Sequence, residues 1–416
     1  MPSIVLAYSG GLDTSYCAVY LSKVRGYDVH AVLVNTGGFS EGEIEAIGER
    51  AKGLGAVSFR SVDARSRYYY ECLRYLVAGN VLRGGVYPMS VSAERMFQAL
   101  AIIEYANEIG AKAVAHGSTG AGNDQVRFDY AFQVLGPPDL EIVTPIREQR
   151  LSREQEVAFL REHGHAFDAA KAKYSINKGL WGTSVGGAET LTSHLGLPEE
   201  AWPTPVTATE PRRLDLVFDE GELVDVLNAD GASLLPEEPG DLSDLDGPDR
   251  CILAIEALTA VAAPYGIGRG IHVGDTIIGI KGRVGFEAPA ATIIIKAHEL
   301  LEKHTLGRNQ QAHKRQIGDL YGQLIHESQF LDPILPDLEA YLASSQRTVK
   351  GTVHVELYPR RFELLGVTSD YDIMKAQGGT YGETQGAWSG QDVRGFTRIL
   401  ANGARFARAV GGHEAH

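Results

Sequence analysis

The sequence predicts an α/β protein built on a parallel sheet, and three observations support that prediction. Short apolar runs alternate with segments of helical spacing through the first third of the chain. The first of these runs, IVLA at 4–7, is continuous, which is typical of a strand buried on both faces. It leads through two glycines and several capping residues into a stretch of helical spacing. A strand–turn–helix unit therefore opens the chain.

The other elements of the first half continue this alternation. Strands are predicted at 28–34, 56–62 and 111–117, and helices at 41–53, 64–79 and 92–109. Ligands of parallel α/β sheets bind beyond the carboxyl ends of the strands. Segments 7–15, 34–38 and 117–127 all lie at such ends, so we expect them to meet in space.

The second half has a different pattern, which favours a second, α+β domain. Strands are predicted at 271–280, 291–296, 350–357 and 362–368, a helix at 296–304, and an acidic surface loop at 236–249. The tail at 389–411 has apolar residues near helical spacing and predicts a C-terminal helix, either at a surface or against a partner. We expect a parallel-sheet domain over 1–168, a second domain over 169–378 and a tail over 379–416.

Composition limits the classes of function. The 416 residues carry a net charge of −14, which argues against a nucleic-acid partner, since such a partner needs basic patches. No apolar run approaches a membrane span, and the start of the chain lacks the pattern of a signal peptide. The cysteines, Cys17, Cys72 and Cys251, are isolated and predict neither a metal site nor a disulfide framework. A cytoplasmic protein is expected.

The turn after the first strand, AYSGGLDTS at 7–15, has the composition of a phosphate-binding loop. Gly10 and Gly11 can adopt backbone angles closed to other residues, and the N-terminus of the following helix attracts anions. The loop lacks the lysine of GxxxxGK[ST] and does not match GxGxxG. The alternative is an ordinary strand–helix turn with capping residues.

A second polar segment, HGSTGAGNDQVRF at 116–128, predicts a site for a small zwitterion. Asn123, Asp124 and Arg127 fall within one helical turn and offer an amide, a carboxylate and a guanidinium. Together these groups can recognise the charges of an amino acid. A solvated loop is the alternative for this stretch taken alone.

The two segments together resemble known families. The SGGLDTS string resembles the pyrophosphate loop of the N-type ATP pyrophosphatases, which have an adenine nucleotide alpha hydrolase-like fold. The whole chain resembles the argininosuccinate synthase family, which carries AYSGGLDTS near its start and AHGxTGxGNDQxRF further on. Further matches occur in YPMSVSAER, YSINKGLWGTS, YGIGR, GIKGRVGFEAP and QDVRGFTRIL. The resemblance implies a nucleotide-binding domain, a synthetase domain and a tail that joins subunits in a homotetramer.

The resemblance also implies a reaction. In this family the ureido oxygen of citrulline attacks the α-phosphate of ATP and releases pyrophosphate, and the amine of L-aspartate then displaces AMP. Mg²⁺ would accompany ATP and be held mostly by its phosphates, since no dedicated cluster of metal ligands stands out. Asp13 and Arg95 are the residues expected to take part in catalysis.

The implied binding residues fall into three groups. ATP would contact Ala7, Tyr8, Ser9, Gly10, Gly11, Leu12, Asp13, Thr14, Ser15, Val34 and Gly117. Aspartate would contact Thr119, Asn123 and Asp124. The acceptor would contact Tyr87, Ser92, Asn123, Arg127, Ser175 and Ser184.

Some positions depart from the family pattern, above all in the acceptor site. The family's Asp-x-Gly-Gln is Asn35–Gly38 here, a usual lysine is Ala121, and YSxDxN is 174–179 (YSINKG). The glutamate that faces the α-ammonium of citrulline falls on Gly274, and a citrulline-binding tyrosine falls on Phe286. A lost charge-assisted hydrogen bond costs about 1.5–3 kcal/mol. Asp275 would compensate if the strand slipped by one residue.

These departures leave several hypotheses open. One is a paralogue that joins aspartate to a different ureido, amide or carboxyl acceptor, and another is an ordinary argininosuccinate synthase that has drifted. A tRNA-modifying ATP pyrophosphatase is opposed by the acidic charge, and a non-catalytic paralogue by the complete phosphate loop. The sequence favours an AMP-forming ligase for aspartate and a citrulline-like acceptor.

Overall fold

The chain is described from a computed structural model that covers residues 1–167, 174–236, 247–376 and 386–411, without the side chains of 247 and 248. It divides into two compact units, Met1–Tyr371 and Asp372–His416. The domain boundaries predicted at 168/169 and 378/379 lie outside the described residues, as does most of the predicted acidic loop.

The first part of the larger unit is a five-stranded parallel sheet. Its strands are β1 (Ser3–Ala7), β2 (Asp28–Asn35), β3 (Ser58–Asp63), β4 (Ala113–Ala115) and β5 (Glu141–Val143). Its helices are α1 (Leu12–Val19), α2 (Glu41–Gly53), α3 (Arg65–Tyr68), α4 (Arg74–Ala78), α5 (Glu94–Glu108), α6 (Asp124–Leu135), α7 (Pro145–Gln149) and α8 (Arg153–Glu162). Tyr69–Leu73, between α3 and α4, is a π-helical turn. The predicted α/β class is thus confirmed.

The strand order places a crevice beside β1. The order is β3-β2-β1-β4-β5, so the chain runs from β1 to one side and later returns on the other. Because β1 and β4 are neighbours, the loops that follow them begin side by side at the carboxyl edge, where ligands of such sheets bind. Segments 7–15 and 117–127 are the loops that this order brings together.

The parallel sheet is buried on both faces, as the apolar run at 4–7 predicts. Ile4 and Leu6 belong to the core cluster that includes residues of α1, α2 and α8. Val5 points to the other face and belongs to the larger cluster, which includes residues of α5 and α10. Alternate residues of one strand thus enter two different cores.

The rest of the larger unit consists of two antiparallel sheets and packed helices. One sheet has the order β10-β11-β7-β6 and the other β13-β12-β8-β9. The strands are β6 (Ser175–Gly179), β7 (Gly182–Gly186), β8 (Arg212–Asp219), β9 (Glu222–Asn228), β10 (Arg269–Asp275), β11 (Lys281–Glu287), β12 (Gly351–Tyr358) and β13 (Arg361–Thr368). The helices are α9 (Gly247–Ala262), α10 (Pro289–Thr305), α11 (Arg308–His326) and α12 (Leu335–Ser345).

Two predictions for this part are wrong. Residues 291–296 are not a strand but lie inside α10, where Pro289 occupies the first turn and Ile293, Ile294 and Ile295 are all buried. A run of β-branched residues favours a strand, but packing on every side of a core helix overrides that preference. The strand predicted at 271–280 ends at Asp275, because residues 276–280 form the turn into β11.

The smaller unit contains α13 (Ile373–Ala376) and α14 (Gly390–Gly411). The predicted C-terminal helix is confirmed, and none of its side chains is buried. Large apolar side chains are exposed along it: Val393, Phe396, Ile399, Leu400, Phe406 and Val410.

No helix of the described residues has the length and apolar character that crossing a bilayer requires.

Candidate active site

A cavity of about 900 Å³ lies at the carboxyl edge of the parallel sheet. It is lined by residues of both halves of the larger unit, from the loop after β1 to the hairpin of β10 and β11. Most of the predicted site residues line it: Ala7, Tyr8, Ser9, Gly11, Leu12, Asp13, Thr14, Val34, Tyr87, Ser92, Arg95, Gly117, Thr119, Asn123, Asp124, Arg127, Ser175, Ser184 and Gly274. Gly10, Ser15 and Phe286 do not.

The loop after β1 is a tight turn at the start of α1. Gly10 adopts a φ of +75°, which favours glycine, and its carbonyl accepts a 2.8 Å hydrogen bond from the Arg50 guanidinium. The backbone N–H of Ser9 donates a 3.4 Å hydrogen bond to the Thr14 hydroxyl, which links the two ends of the loop. Backbone N–H groups at a helix N-terminus, together with hydroxyls, suit a phosphate group. Arg50, which the sequence analysis missed, adds positive charge beside the loop.

The loop after β4 packs directly on this turn. A Cβ atom added to Gly117 would lie 3.2 Å from the Asp13 carbonyl carbon and 3.3 Å from the Thr14 side chain. Glycine therefore allows the two loops to approach this closely, whereas a side chain would press them apart. This contact is the physical reason for a glycine at 117.

A buried carboxyl group lies behind Asp13. Glu156 of α8 is 2% exposed, and its Oε2 has no hydrogen-bond partner among the described residues. Burial raises the pKa of Glu156 to about 8, and the neighbouring Asp13 charge adds to the rise. Glu156 comes close to Asp13 only through packing of α8 on α1, so no local sequence pattern indicated it.

Asp124 links two arginines at the start of α6. Its carboxylate accepts hydrogen bonds from Arg127 at 2.9 Å and from Arg95 at 3.2 Å. Burial opposes the negative charge, but the two guanidinium groups outweigh it and hold the pKa of Asp124 below its usual value. Asp124 and Arg127, two of the three residues that the sequence analysis grouped, are therefore joined with Arg95 in one connected set of charges.

Arg95 is held by groups on several sides. Besides Asp124, its guanidinium donates to the side chains of Gln98 at 2.9 Å and Asn177 at 2.8 Å. It also forms a 3.2 Å ion pair with Glu94, a residue of α5 that the sequence analysis missed. Burial raises the pKa of Glu94 to about 7, despite the opposing effects of Arg95 and Thr36. The position of Arg95 in the cavity is thus fixed by side chains from α5, α6 and β6.

The end of the cavity at which the acceptor is expected contains Arg127, which is 5% exposed and donates to the backbone carbonyl of His326 at 3.2 Å. Tyr87 stacks on His272, with ring centroids 5.1 Å apart. Phe286 is 3% exposed and packs against Tyr87 at 5.2 Å, so it supports Tyr87 from behind. Phe286 does not line the cavity, so a phenylalanine in place of a tyrosine at 286 removes no hydroxyl from the cavity lining.

Gly274 lies on β10 in regular pairing with β11. The register runs residue for residue from Arg269–Glu287 through Gly274–Gly282 to Asp275–Lys281. Asp275 forms a 2.7 Å ion pair with Lys281. The pairing of this described hairpin has no one-residue slip, so Asp275 does not take the position of Gly274.

The parallel sheet with a glycine loop at its carboxyl edge belongs to a HUP domain. A family model described as the arginosuccinate synthase N-terminal HUP domain matches residues 3–166, and one described as the arginosuccinate synthase C-terminal domain matches 174–407. The chain belongs to the argininosuccinate synthase family, whose members are ligases that form carbon–nitrogen bonds.

Curated relatives match over nearly the whole chain. The argininosuccinate synthase of Xylella fastidiosa is 37% identical over 405 residues, which cover 96% of this chain and 95% of the relative. That of Methanocaldococcus jannaschii is 36% identical over 372 residues, 89% of each chain. That of Dictyoglomus turgidum is 33% identical over 409 residues, 95% of each chain.

Proposed function

We propose that this protein is an ATP-dependent, AMP- and pyrophosphate-forming ligase that joins the amine of L-aspartate to a citrulline-like ureido or carbonyl acceptor. The observation that carries the proposal is one cavity lined by the glycine loop, by the Asp124 cluster and by the acceptor-side residues. Three substrates can therefore meet in it. Argininosuccinate synthase itself, with citrulline as acceptor, is the second candidate, favoured by relatives at 37% identity.

The proposed first step forms an adenylate. The acceptor oxygen attacks the α-phosphorus of ATP, and the bond to the β-phosphate oxygen breaks and releases pyrophosphate. The loop from Ser9 to Ser15 would hold the leaving pyrophosphate through N–H groups and hydroxyls, with Arg50 adding charge behind Gly10. Ala7, Tyr8, Val34 and Gly117 would hold the rest of the nucleotide.

Mg²⁺ fits the phosphate end of the cavity by the chemistry of its donors. Asp13 supplies a carboxylate there and Ser9 and Thr14 supply hydroxyls, and Mg²⁺ prefers such oxygen ligands. The described residues contain no group of three or more His, Cys, Asp or Glu side chains placed to hold a metal. Phosphate oxygens would therefore be the main ligands, and the ion would neutralise charge on the leaving pyrophosphate.

The proposed second step forms the carbon–nitrogen bond. The aspartate amine attacks the activated carbon in its neutral –NH2 form, and AMP leaves with the former acceptor oxygen. The new C–N nitrogen releases one proton to solvent and keeps one N–H. Thr119, Asn123 and Asp124 would orient aspartate, while Tyr87, Ser92, Asn123, Arg127, Ser175 and Ser184 would hold the acceptor. Arg95, fixed beside Asp124, would stabilise negative charge that develops during the exchange.

The acceptor is proposed to lack a free α-ammonium group. Gly274 supplies no carboxylate to pair with such a group, and Asp275 is engaged with Lys281. An unpaired ammonium would lose roughly a factor of 10–200 in binding, since a charge-assisted hydrogen bond contributes about 1.5–3 kcal/mol. We therefore expect citrulline to be a poor substrate compared with its deamino and N-acyl analogues.

A cytoplasmic homotetramer is part of the proposal. The three cysteines are free and buried, which suits a reducing compartment. The exposed apolar side chains of α14 suit contact with other copies of the chain. With a net charge of −14, no nucleic-acid partner is proposed.

The reaction is tested by following one oxygen atom. The protein is incubated with Mg²⁺, ATP, aspartate and an acceptor labelled with ¹⁸O in the ureido group, for citrulline, 5-ureidopentanoate and Nα-acetyl-L-citrulline in turn. Phosphorus NMR should show AMP and pyrophosphate, with the label in AMP. A sample without aspartate is the control for turnover. ADP as product, or unlabelled AMP, would refute the mechanism.

A further inference from the structure

The wall of the cavity at Gly274 is occupied by an imidazole ring. His272 lies two residues earlier on the same face of β10, and a Cβ atom added to Gly274 would lie 2.5 Å from its Nε2. The ring is stacked on Tyr87 with an interplanar angle of 20° and is 8% exposed. A side chain at 274 and the present position of His272 are therefore mutually exclusive. An imidazole ring therefore occupies the space into which a carboxylate side chain at position 274 would extend.

The polar groups of this wall lack partners within the described part of the chain. None of the described residues forms a hydrogen bond with either ring nitrogen of His272, which lines the cavity. His326 also lines the cavity, is 6% exposed, and its Nδ1 is buried without a hydrogen-bond partner in the described ranges. An unpartnered buried polar atom such as Nδ1 of His326 is costly, so a ligand group that satisfied it would be favoured.

The charges that act on this wall are positive. Burial lowers the pKa of His326 to about 3, and Arg127, Arg83 and His272 lower it further. Burial, and then Arg83, also lower the pKa of His272. The nearby carboxylates are engaged elsewhere: Asp124 with Arg95 and Arg127, and Asp275 with Lys281. These positive charges would repel an ammonium group of a ligand, whereas they would attract an anionic group.

We propose that His272 and His326, which both line the cavity, form a subsite for a second carboxylate of the acceptor, in addition to the one expected at Arg127. The acceptor class would be ureido compounds that carry two carboxylates and no free ammonium group. Neutral imidazoles each donate one N–H. Arg83, whose backbone pairs with that of Tyr87, would add positive charge nearby. This inference rests on the proposed function, because it names the acceptor of that reaction.

The test measures binding separately from turnover. Calorimetry with α,β-methylene-ATP present gives Kd for Nα-acetyl-L-citrulline, which has one carboxylate, and for Nα-malonyl- and Nα-succinyl-L-citrulline, which have two. At least one dicarboxylate should bind 10-fold or more tightly than the acetyl compound. His272→Asn and Arg83→Gln should each weaken the dicarboxylate at least fivefold and change acetyl binding less than twofold. His354→Asn, on β12 and away from the cavity, is the control and should change neither.

The outcomes separate the two proposals. Equal binding of mono- and dicarboxylates, absence of dicarboxylate binding, or equal losses for both in the variants would overturn the anion subsite. Pyrophosphate release with aspartate and any of these acceptors bears on the ligase reaction alone. A ligase that turns over the acetyl compound but ignores the second carboxylate would keep the proposed function and remove the subsite.

Discussion

The side-chain oxygen of Asn123 accepts a 2.9 Å hydrogen bond from the backbone N–H of Ile277. Asn123 precedes α6 in the loop that follows β4, and Ile277 lies in the turn between β10 and β11. One bond thus ties the expected aspartate site to the hairpin that carries Gly274. Asn123 would both contact substrates and fix the hairpin.

The first prediction separates these two roles of Asn123. Asn123→Ala should speed amide hydrogen exchange at Ile277 about fivefold, since a hydrogen bond contributes about 1 kcal/mol. Asn123→Asp retains an oxygen acceptor and should leave the exchange near the wild-type rate. Both variants should raise KM for aspartate. Unchanged exchange in the alanine variant would show that the bond does not hold the hairpin.

The second prediction concerns substrate selectivity within the polar loop. Asp124→Ala should raise KM for aspartate roughly 10–200-fold and KM for ATP much less, because a charge-assisted contact is lost away from the glycine loop. Thr119→Ala should have a smaller effect of the same kind. Steady-state kinetics with each substrate varied gives both constants, and the exposed Asp139→Ala is the charge-matched control. Equal rises in KM for aspartate and for ATP would indicate that Asp124 serves only to hold Arg95 and Arg127.

The third prediction places a carboxylate at position 274 in the wall of the cavity. Gly274→Glu alone should impair the protein, because its Cβ would collide with the ring of His272. The double variant Gly274→Glu/His272→Ala removes that collision and should raise kcat/KM for citrulline at least 10-fold while lowering it for Nα-acetyl-L-citrulline. His272→Ala alone is the control. No gain for citrulline in the double variant would show that position 274 does not select the acceptor.

The fourth prediction is a pH dependence of stability at Glu94. Its folded-state pKa of about 7 lies above the ordinary 4.5, so the folded protein binds more protons between these values. Stability from this group is therefore lost as pH rises from 4.5 to 7. As pH rises from about 4.5 to about 8, the free energy of unfolding of the Glu94→Gln variant should increase by about 3 kcal/mol relative to that of the wild type.

Urea unfolding midpoints of the two proteins, measured across this range, check that prediction. Glu104→Gln, an exposed glutamate on the same helix, should show no such trend. A stability difference between the wild type and the Glu94→Gln variant that stays constant with pH would contradict the assignment.

The fifth prediction concerns the C-terminal helix. Deletion of 389–416 should yield a smaller assembly, because the apolar side chains exposed on α14 require a partner surface. Phe396→Glu should act in the same direction, while Arg394→Gln, also at an exposed position, changes the net charge by the same −1 and is the control. Light scattering reports the mass. An unchanged oligomer after the deletion would rule out this role of the helix.

The sequence alone determined the parallel sheet, the strand–glycine loop–helix unit and the C-terminal helix. These features depend on local patterns: a continuous apolar run at 4–7, the two glycines before α1, and helical spacing in 389–411. The prediction that polar side chains after Gly11 cap α1 is wrong, because Gly11 itself is the N-cap and no side chain caps it. The run of β-branched residues at 293–295 misled the same reasoning. Burial on all sides of α10 decided its structure, and burial is a property of the packed molecule.

The tertiary structure decided which side chains form the wall of the cavity at Gly274. The sequence indicated that Gly274 lacks a carboxylate, but it did not indicate that His272 fills the space, that His326 faces the same cavity or that Phe286 stands behind Tyr87. Residues 87, 272 and 326 lie far apart in the chain and meet only when β10 and α11 pack beside the segment at 83–87. Such contacts follow from the positions of whole elements, because the distance between two side chains is set by packing and not by their spacing along the sequence.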